Sequence, residues 1–217
     1  MTVRLNDWLL WRKEGSSFDA EFVSTPIIDN RQLDGAVVLF SDISQRKQME
    51  NELKRLASVD ALTGISNRRY FLERAEEEIS RSIRYRHPLT FVMMDIDHFK
   101  NINDTHGHHV GDVVLKNVAA ILQDTLRIND IFGRIGGEEF AAILPETSIE
   151  NAGIVMERIR AGIEASVWEI DGTAVSCTMS MGMAMLINHH DLNNLMKDAD
   201  AALYVAKDSG RNCIKTA

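Results

Sequence analysis

A chain of 217 residues with 24 Lys and Arg against 32 Asp and Glu carries a net charge of −8, which excludes a surface built to bind nucleic acid, since that needs clustered basic residues. The same balance leaves nucleotides open, because a divalent cation can bridge carboxylates to phosphates. Apolar residues are 45% of the chain, enough for a core without staples, and the two cysteines, Cys177 and Cys213, form no CxxC unit, which points to a reducing compartment and no metal–thiolate site.

Three parts are expected along the chain. Residues 1–43 are strand-like and turn-rich: Arg12 to Gly15 reads as a turn, Phe18 to Ser24 alternates apolar and polar, Asp29-Asn30 with Asp34-Gly35 punctuate a hairpin, and Ala36 to Phe40 reads as a short buried strand. Three strands make a poor domain alone. Residues 44–57 form a linker helix without Gly or Pro, with Met49, Leu53 and Leu56 on one stripe. That stripe suits a short parallel coiled coil and equally an amphipathic connector packed on its own chain.

Residues 58–217 alternate helix and strand. Asn67 caps a helix to about Arg86, with Phe71, Ala75, Ile79 and Ile83 on one face. Leu89 to Met94 is a central strand. A second helix runs from about His109 to Arg127, with Val114, Val118, Ile121 and Leu122 inward. Asp130 to Leu144 forms two strands meeting at Gly136-Gly137, whose missing side chains suit a primed turn with positive φ. Thr147 and Glu150 make a capping box for a helix to about Ala165. Val175 to Leu186 is strand-like, Asp191 caps a last helix that Gly210 ends, and Asn212 to Lys215 closes the sheet. The expected class is α/β (α+β): a ferredoxin-like βαββαβ arrangement with added helices, its mainly antiparallel central sheet flanked by helices. No basic start with an apolar stretch marks a leader, and no apolar run approaches the ~20 residues of a membrane span, so a cytoplasmic location is expected, as such or as the cytoplasmic part of a longer bacterial signalling protein.

Asp95 ends a strongly apolar strand, and Glu138 and Glu139 follow the double glycine of a hairpin that neighbours it in such a sheet. Carboxylates gathered at one sheet end need neutralising, and Mg²⁺ suits them because it prefers oxygen ligands and keeps places for phosphate oxygens. Taken alone, the pattern is more often that of a plain hairpin with two surface acids.

Five blocks in order change that balance. Gly136-Gly137-Glu138-Glu139-Phe140 resembles the GGDEF signature, and Asp60 to Arg69 (DALTGISNRR) resembles the same family's opening block. Asp95 to Asp104 (DIDHFKNIND), Gly107 to Asp112 (GHHVGD) and Lys207 to Asn212 (KDSGRN) resemble its remaining blocks. The resemblance spans nearly all of residues 58–217 and implies a diguanylate cyclase: a nucleotidyl-cyclase palm that condenses two GTP into cyclic di-GMP with release of two pyrophosphates. It implies two Mg²⁺ per site, with Mn²⁺ as a substitute, and a homodimer for catalysis. Neither nucleic acid nor a membrane is an expected partner of this segment. A catalytically silent module sensing GTP or cyclic di-GMP is the alternative, and a cyclase making a monomeric cyclic product is a weaker one.

The resemblance also assigns roles. Asp95, the Ile96 carbonyl, Glu138 and Glu139 would hold metal. Glu138 would accept the attacking proton, although a metal-bound carboxylate is a weak base. Lys100 would support charge on the phosphates; its bland reading is a solvated loop lysine. Asn103 and Asp112 would read the guanine edge, the carboxylate accepting from N1–H and N2–H₂; Asp112 is otherwise an acid in a first helical turn. His108 would line the nucleotide pocket or serve structure. Lys207 and Arg211 would contact the terminal phosphates, or simply oppose a helix dipole. Arg127 and Asp130 form an RxxD where the family carries its inhibitory product site, and Arg158 matches a supporting arginine. Asp60 and Arg68 are expected to join linker and catalytic domain through an ion pair. Residues 8–47 resemble the closing strands of a PAS domain, through Trp11 to Ser16 and Asp34 to Ser44. The earlier PAS elements have no counterpart among these residues, so they support no argument for a haem or flavin pocket. Departures from the family pattern are small: Glu138 for the commoner Asp, Ile65 for Leu, and His106 for an aromatic residue.

Overall fold

The computed structural model describes residues 3–29, 32–186 and 191–217. The chain divides into two compact units, residues 1–57 and 58–217.

In the first unit, β1 (Val3–Trp11), β2 (Ser17–Asp29) and β3 (Gln32–Asp42) form an antiparallel sheet in that order, followed by α1 (Ser44–Ser58). The predicted first turn forms: Gly15 takes φ +88°, and the Arg12 and Ser16 backbones close it at 2.7 Å. Asn30 lies outside the described residues. Asp34-Gly35 does not make a turn; it falls inside β3, beside a register shift at Ile27/Ile28. The run Ala36 to Phe40 is exposed rather than buried, with Leu39 at 67% and Phe40 at 61%. Neighbouring strand residues point to opposite faces, and a sheet of three strands covers neither well. Of the linker stripe, Met49 and Leu53 are exposed, and the Leu56 side chain lies outside the described residues.

The second unit contains β4 (Ser66–Asn67), α2 (Arg68–Tyr85), β5 (Leu89–Ile96), α3 (Phe99–His106), α4 (His108–Thr125), β6 (Ile131–Arg134), β7 (Glu139–Pro145), α5 (Ile149–Glu164), β8 (Trp168–Ile170), β9 (Thr173–Val175), β10 (Met179–Met185), α6 (Leu192–Asp208) and β11 (Ile214–Thr216). Six strands pair in the order β11-β10-β5-β7-β6-β4. Each of the four inner ones is antiparallel to its inner neighbours, and the short outer strands β11 and β4 run parallel to their neighbours. Taken as first to fourth, β5, β6, β7 and β10 stand in the spatial order 4-1-3-2, the expected ferredoxin-like pattern.

Strand β5 is buried at every position because both faces are covered. Val92, Met94 and Ile96 enter one core with Val114 and Val118 of α4 and Met156 and Ile159 of α5. Phe91 and Met93 enter a second core with Phe71 and Ala75 of α2 and Leu195 and Ala199 of α6.

Several local expectations need correction. The fourth inward position of α2 is Ser82; Ile83 is 47% exposed, because a 3.6-residue period drifts off a strict four-residue stripe. The helix cap near residue 148 is Ser148, which accepts from the Asn151 N–H, while the Thr147 hydroxyl donates to the Pro145 carbonyl. Val175 to Leu186 is broken: β9 pairs with β8 in a separate hairpin, and β10 begins only at Met179. Asn67 and Asp191 cap α2 and α6 as expected.

Candidate active site

Pairing in the sheet places the acids. Asp95 at the end of β5 stands across from Glu139 of β7 and Ser180 of β10. The Ile96 N–H donates to the Glu138 carbonyl, tying the end of β5 to the glycine loop. Asp95 is buried, Glu138 half-buried and Glu139 exposed. Burial pushes the Asp95 carboxyl above its ordinary value, the Lys207 ammonium pulls it back, and the charges of Glu138 and Glu139 push it up again. Lys207 lies 2.8 Å from Asp95, so a residue of α6 reaches the acidic end of the sheet.

The loop before Glu139 is not a two-residue primed turn, and neither Gly136 nor Gly137 has a positive φ. The Ile135 and Gly136 N–H groups both donate to the Glu139 carbonyl. A Cβ at Gly136 would lie 2.2 Å from the Glu139 carboxylate, so a side chain there would push that exposed carboxylate aside. Arg134 fastens the loop, donating to the Gly137 carbonyl at 2.7 Å and to the Asp60 carboxylate at 3.1 Å. The cation paired with Asp60 is therefore Arg134 and not Arg68. Burial raises the Asp60 carboxyl, but hydrogen bonds from Thr63 and Arg134 outweigh it and hold it below its ordinary value.

The helix expected from about His109 forms as α4, and Gly107 (φ +85°) separates it from a short preceding helix, α3, that was not expected. Asn103 stands on α3, with His108 and Asp112 in the first turns of α4 and Lys100 at the start of α3; the last three are exposed. The Asn103 Oδ1 is buried without a hydrogen-bond partner. A Cβ on Gly111 would fall 2.0 Å from that oxygen. A buried amide oxygen without a partner is uncommon in a folded protein, and here it faces a position bare of side chain.

Among the described residues, no cluster of three or more His, Cys, Asp and Glu is arranged to hold an ion alone. Mg²⁺ does not require one, since it takes one or two carboxylates together with water and substrate phosphates. The hard oxygen donors of Asp95 and Glu138 fit that ion, and the neighbouring Glu138 and Glu139 charges help to raise the Asp95 carboxyl. Cys177 is no ligand: burial and the nearby Asp97 charge push its thiol up to about 12.

A second constellation forms on another part of the unit. Asp130 accepts from the Arg127 N–H at 2.8 Å, and Arg158 donates to the Thr125 carbonyl at 3.0 Å. Arg127, Asp130 and Arg158 line one cavity of about 420 Å³. Arg127 and Asp130 also line another of about 510 Å³, with Arg74 and Arg81.

Residues 57–213 match the family described as diguanylate cyclase, GGDEF domain. The chain belongs to the GGDEF family. It is 41% identical over 164 residues to the diguanylate cyclase DgcP of Pseudomonas aeruginosa, covering 76% of this chain and 24% of that protein. It is 32% identical over 210 residues to the probable diguanylate cyclase DgcE of Escherichia coli, covering 94% of this chain and 19% of that one. The chain thus spans about a quarter or less of these two relatives. Among solved structures, the coiled coil and GGDEF domain of DgcB from Caulobacter crescentus, in complex with c-di-GMP, superposes with a TM-score of 0.78 at 29% identity, over 81% of this chain and 93% of that one. No helix among the described residues is long and apolar enough to cross a membrane.

Within the GGDEF unit, sequence reading brought Asp95, Glu138, Glu139 and Lys207 to one place. It missed Arg134, whose guanidinium serves the signature loop, and Asp97, which is buried and accepts from Thr178, Ser180 and the Asn212 N–H. The DxD spacing was the available signal for Asp97. Nothing local marked Arg134, whose partner Asp60 is 74 residues away.

Proposed function

We propose that the chain is a diguanylate cyclase, joining two GTP molecules into cyclic di-GMP with Mg²⁺ as cofactor. The observation that carries this reading is the meeting of Asp95, Glu138 and Lys207 at one sheet end. In this reading Asn103 and Asp112 hold the guanine and reject adenine, which lacks the N1–H and N2–H₂ donors. His108 borders the pocket. Lys207, Lys100 and Arg211 face the phosphates. Asp95, the Ile96 carbonyl, Glu138 and Glu139 hold Mg²⁺, with Mn²⁺ as a substitute.

Bound there, Mg²⁺ supplies positive charge to the phosphates and acidifies the attacking hydroxyl. In this reading Glu138 accepts the 3′-hydroxyl proton, as the family resemblance implies. Each 3′-hydroxyl attacks the α-phosphate of a GTP on a second copy, and pyrophosphate departs twice. Positioning and charge neutralisation supply the rate. The Arg127, Asp130 and Arg158 cavity takes the product and gives feedback inhibition, because planar guanidinium groups match phosphate and stack on guanine. Residues 1–43 form the closing strands of a PAS domain, and α1 relays their state to the cyclase.

Incubation with GTP and Mg²⁺, followed by chromatography of the products, tests the reading. Cyclic di-GMP and pyrophosphate are expected from the wild type and neither from Glu138→Ala. Tight GTP binding without turnover would assign a sensing module instead.

A further inference from the structure

The segment after α6 holds an unusual backbone. Gly210 (φ +105°), Arg211 (φ +67°) and Asn212 (φ +45°) are three successive left-handed residues, two of them with side chains. Such residues persist when their surroundings over-determine them. Here the surroundings converge on Asn212. Its N–H donates to the Asp97 carboxylate at 3.0 Å, its side-chain Nδ2 donates to Glu164 at 2.7 Å, and its Oδ1 accepts from Arg160 at 2.7 Å.

Each of those partners is itself held. Asp97, 4% exposed, takes the hydroxyls of Thr178 at 2.7 Å and Ser180 at 2.6 Å. Arg160 is tied to Glu157 and Glu164 on its own helix at 2.7 and 2.8 Å. The clamp therefore joins the end of β5, helix α5 and strand β10 to one amide. An amide fits here, because it donates to a carboxylate and accepts from a guanidinium at once.

We propose that Asn212 is a positioning residue. Clamped by Asp97, Arg160 and Glu164, it fixes the left-handed turn that aims Arg211 at the terminal phosphates of GTP. The inference deepens the cyclase reading and rests on its GTP site. Asp97 sits two residues from Asp95, so one short segment sets both the acid and the arginine that a triphosphate would meet.

The test measures binding of a non-hydrolysable GTP analogue and of GMP, each with Mg²⁺, by calorimetry on the full chain. Asn212→Gly suits it, because glycine accepts the backbone angle and keeps the N–H to Asp97 while losing the side-chain bonds to Glu164 and Arg160. We expect the analogue to bind about tenfold more weakly, the loss of roughly one charge-assisted hydrogen bond, with GMP affinity held within about twofold. Arg211→Ala should give the same pattern, and the double variant should be no weaker than Arg211→Ala. Arg160→Met should match Asn212→Gly. Equal weakening of GMP and the analogue would mark a merely structural residue and overturn the proposal. So would wild-type affinity for the analogue, or independent effects in the double variant. A wild-type protein that binds neither nucleotide would sink the cyclase reading and this inference with it.

Discussion

Asp95 sits where burial opposes ionisation and a lysine restores it, so its charge depends on company. Under the cyclase reading that company is divalent metal during turnover, and Asp95→Asn or Glu138→Ala should lower cyclic di-GMP formation by at least about 100-fold. Melting curves of both variants should stay close to wild type, which separates lost chemistry from lost fold. Retention of a tenth of the wild-type rate by either variant would remove that residue from the machinery. Asp60 makes a different prediction. Its folded pKa is depressed, so its stabilisation is present above the ordinary value of 3.8 and is lost as pH falls through the lower folded value. Acid unfolding of Asp60→Asn should therefore be less steep below about pH 4 than that of the wild type, with a lower starting stability at pH 7. Parallel acid limbs would show that Asp60 is not so linked. Asp95, Glu138 and Glu139 were legible in the sequence because an acid at the end of an apolar strand, or after paired glycines, stands out locally. Arg134 and the Asn212 clamp were not, since their partners come from segments brought together only by the fold.

Helices α3 and α4 show what periodicity misses. The segment from Phe99 to His106 is short, only Phe99 is fully buried, and its apolar stripe is too brief to register. The break at Gly107 turns the chain so that Asn103 of one helix faces Gly111 of the next. The sheet order, the two long helices flanking the acids and the caps at Asn67 and Asp191 were readable, because each rests on a run of ten or more residues or a strong local signal. The Ser148 cap and the β8–β9 hairpin rest on single residues and were misread. Gly111→Ala tests the facing arrangement. Its methyl group would displace the Asn103 amide, so affinity for a GTP analogue should fall on the order of tenfold or more. The overpacking itself should lower the Tm by only a few degrees. Unchanged nucleotide affinity would mean that Asn103 does not read the base. In the second core, on the opposite face of β5, Phe71 is fully buried and meets Phe91 edge-on at 6.1 Å. Phe71→Ala should cost about 3–5 kcal/mol in urea unfolding; a loss under about 1 kcal/mol would show that the second core repacks without it.

At the scale of the whole chain, the cyclase reading has a stoichiometric consequence. The guanine-reading group, the acids and the phosphate-facing cations occur once in residues 58–217, so one copy presents one nucleotide while the ring needs two. At low concentration the rate of a separated 58–217 segment should therefore rise with the square of protein concentration. The first unit bears on the same step, because Trp8, Trp11, Leu39 and Phe40 are all more than half exposed. An exposed apolar sheet of this kind favours association. Sedimentation should find the full chain self-associated at concentrations where residues 58–217 are monomeric, and its rate per molecule should hold at dilutions where that of the shorter segment has already fallen. If residues 58–217 formed cyclic di-GMP at a per-molecule rate unchanged from micromolar to nanomolar protein, a single copy would be closing the ring, and the two-copy mechanism could not stand.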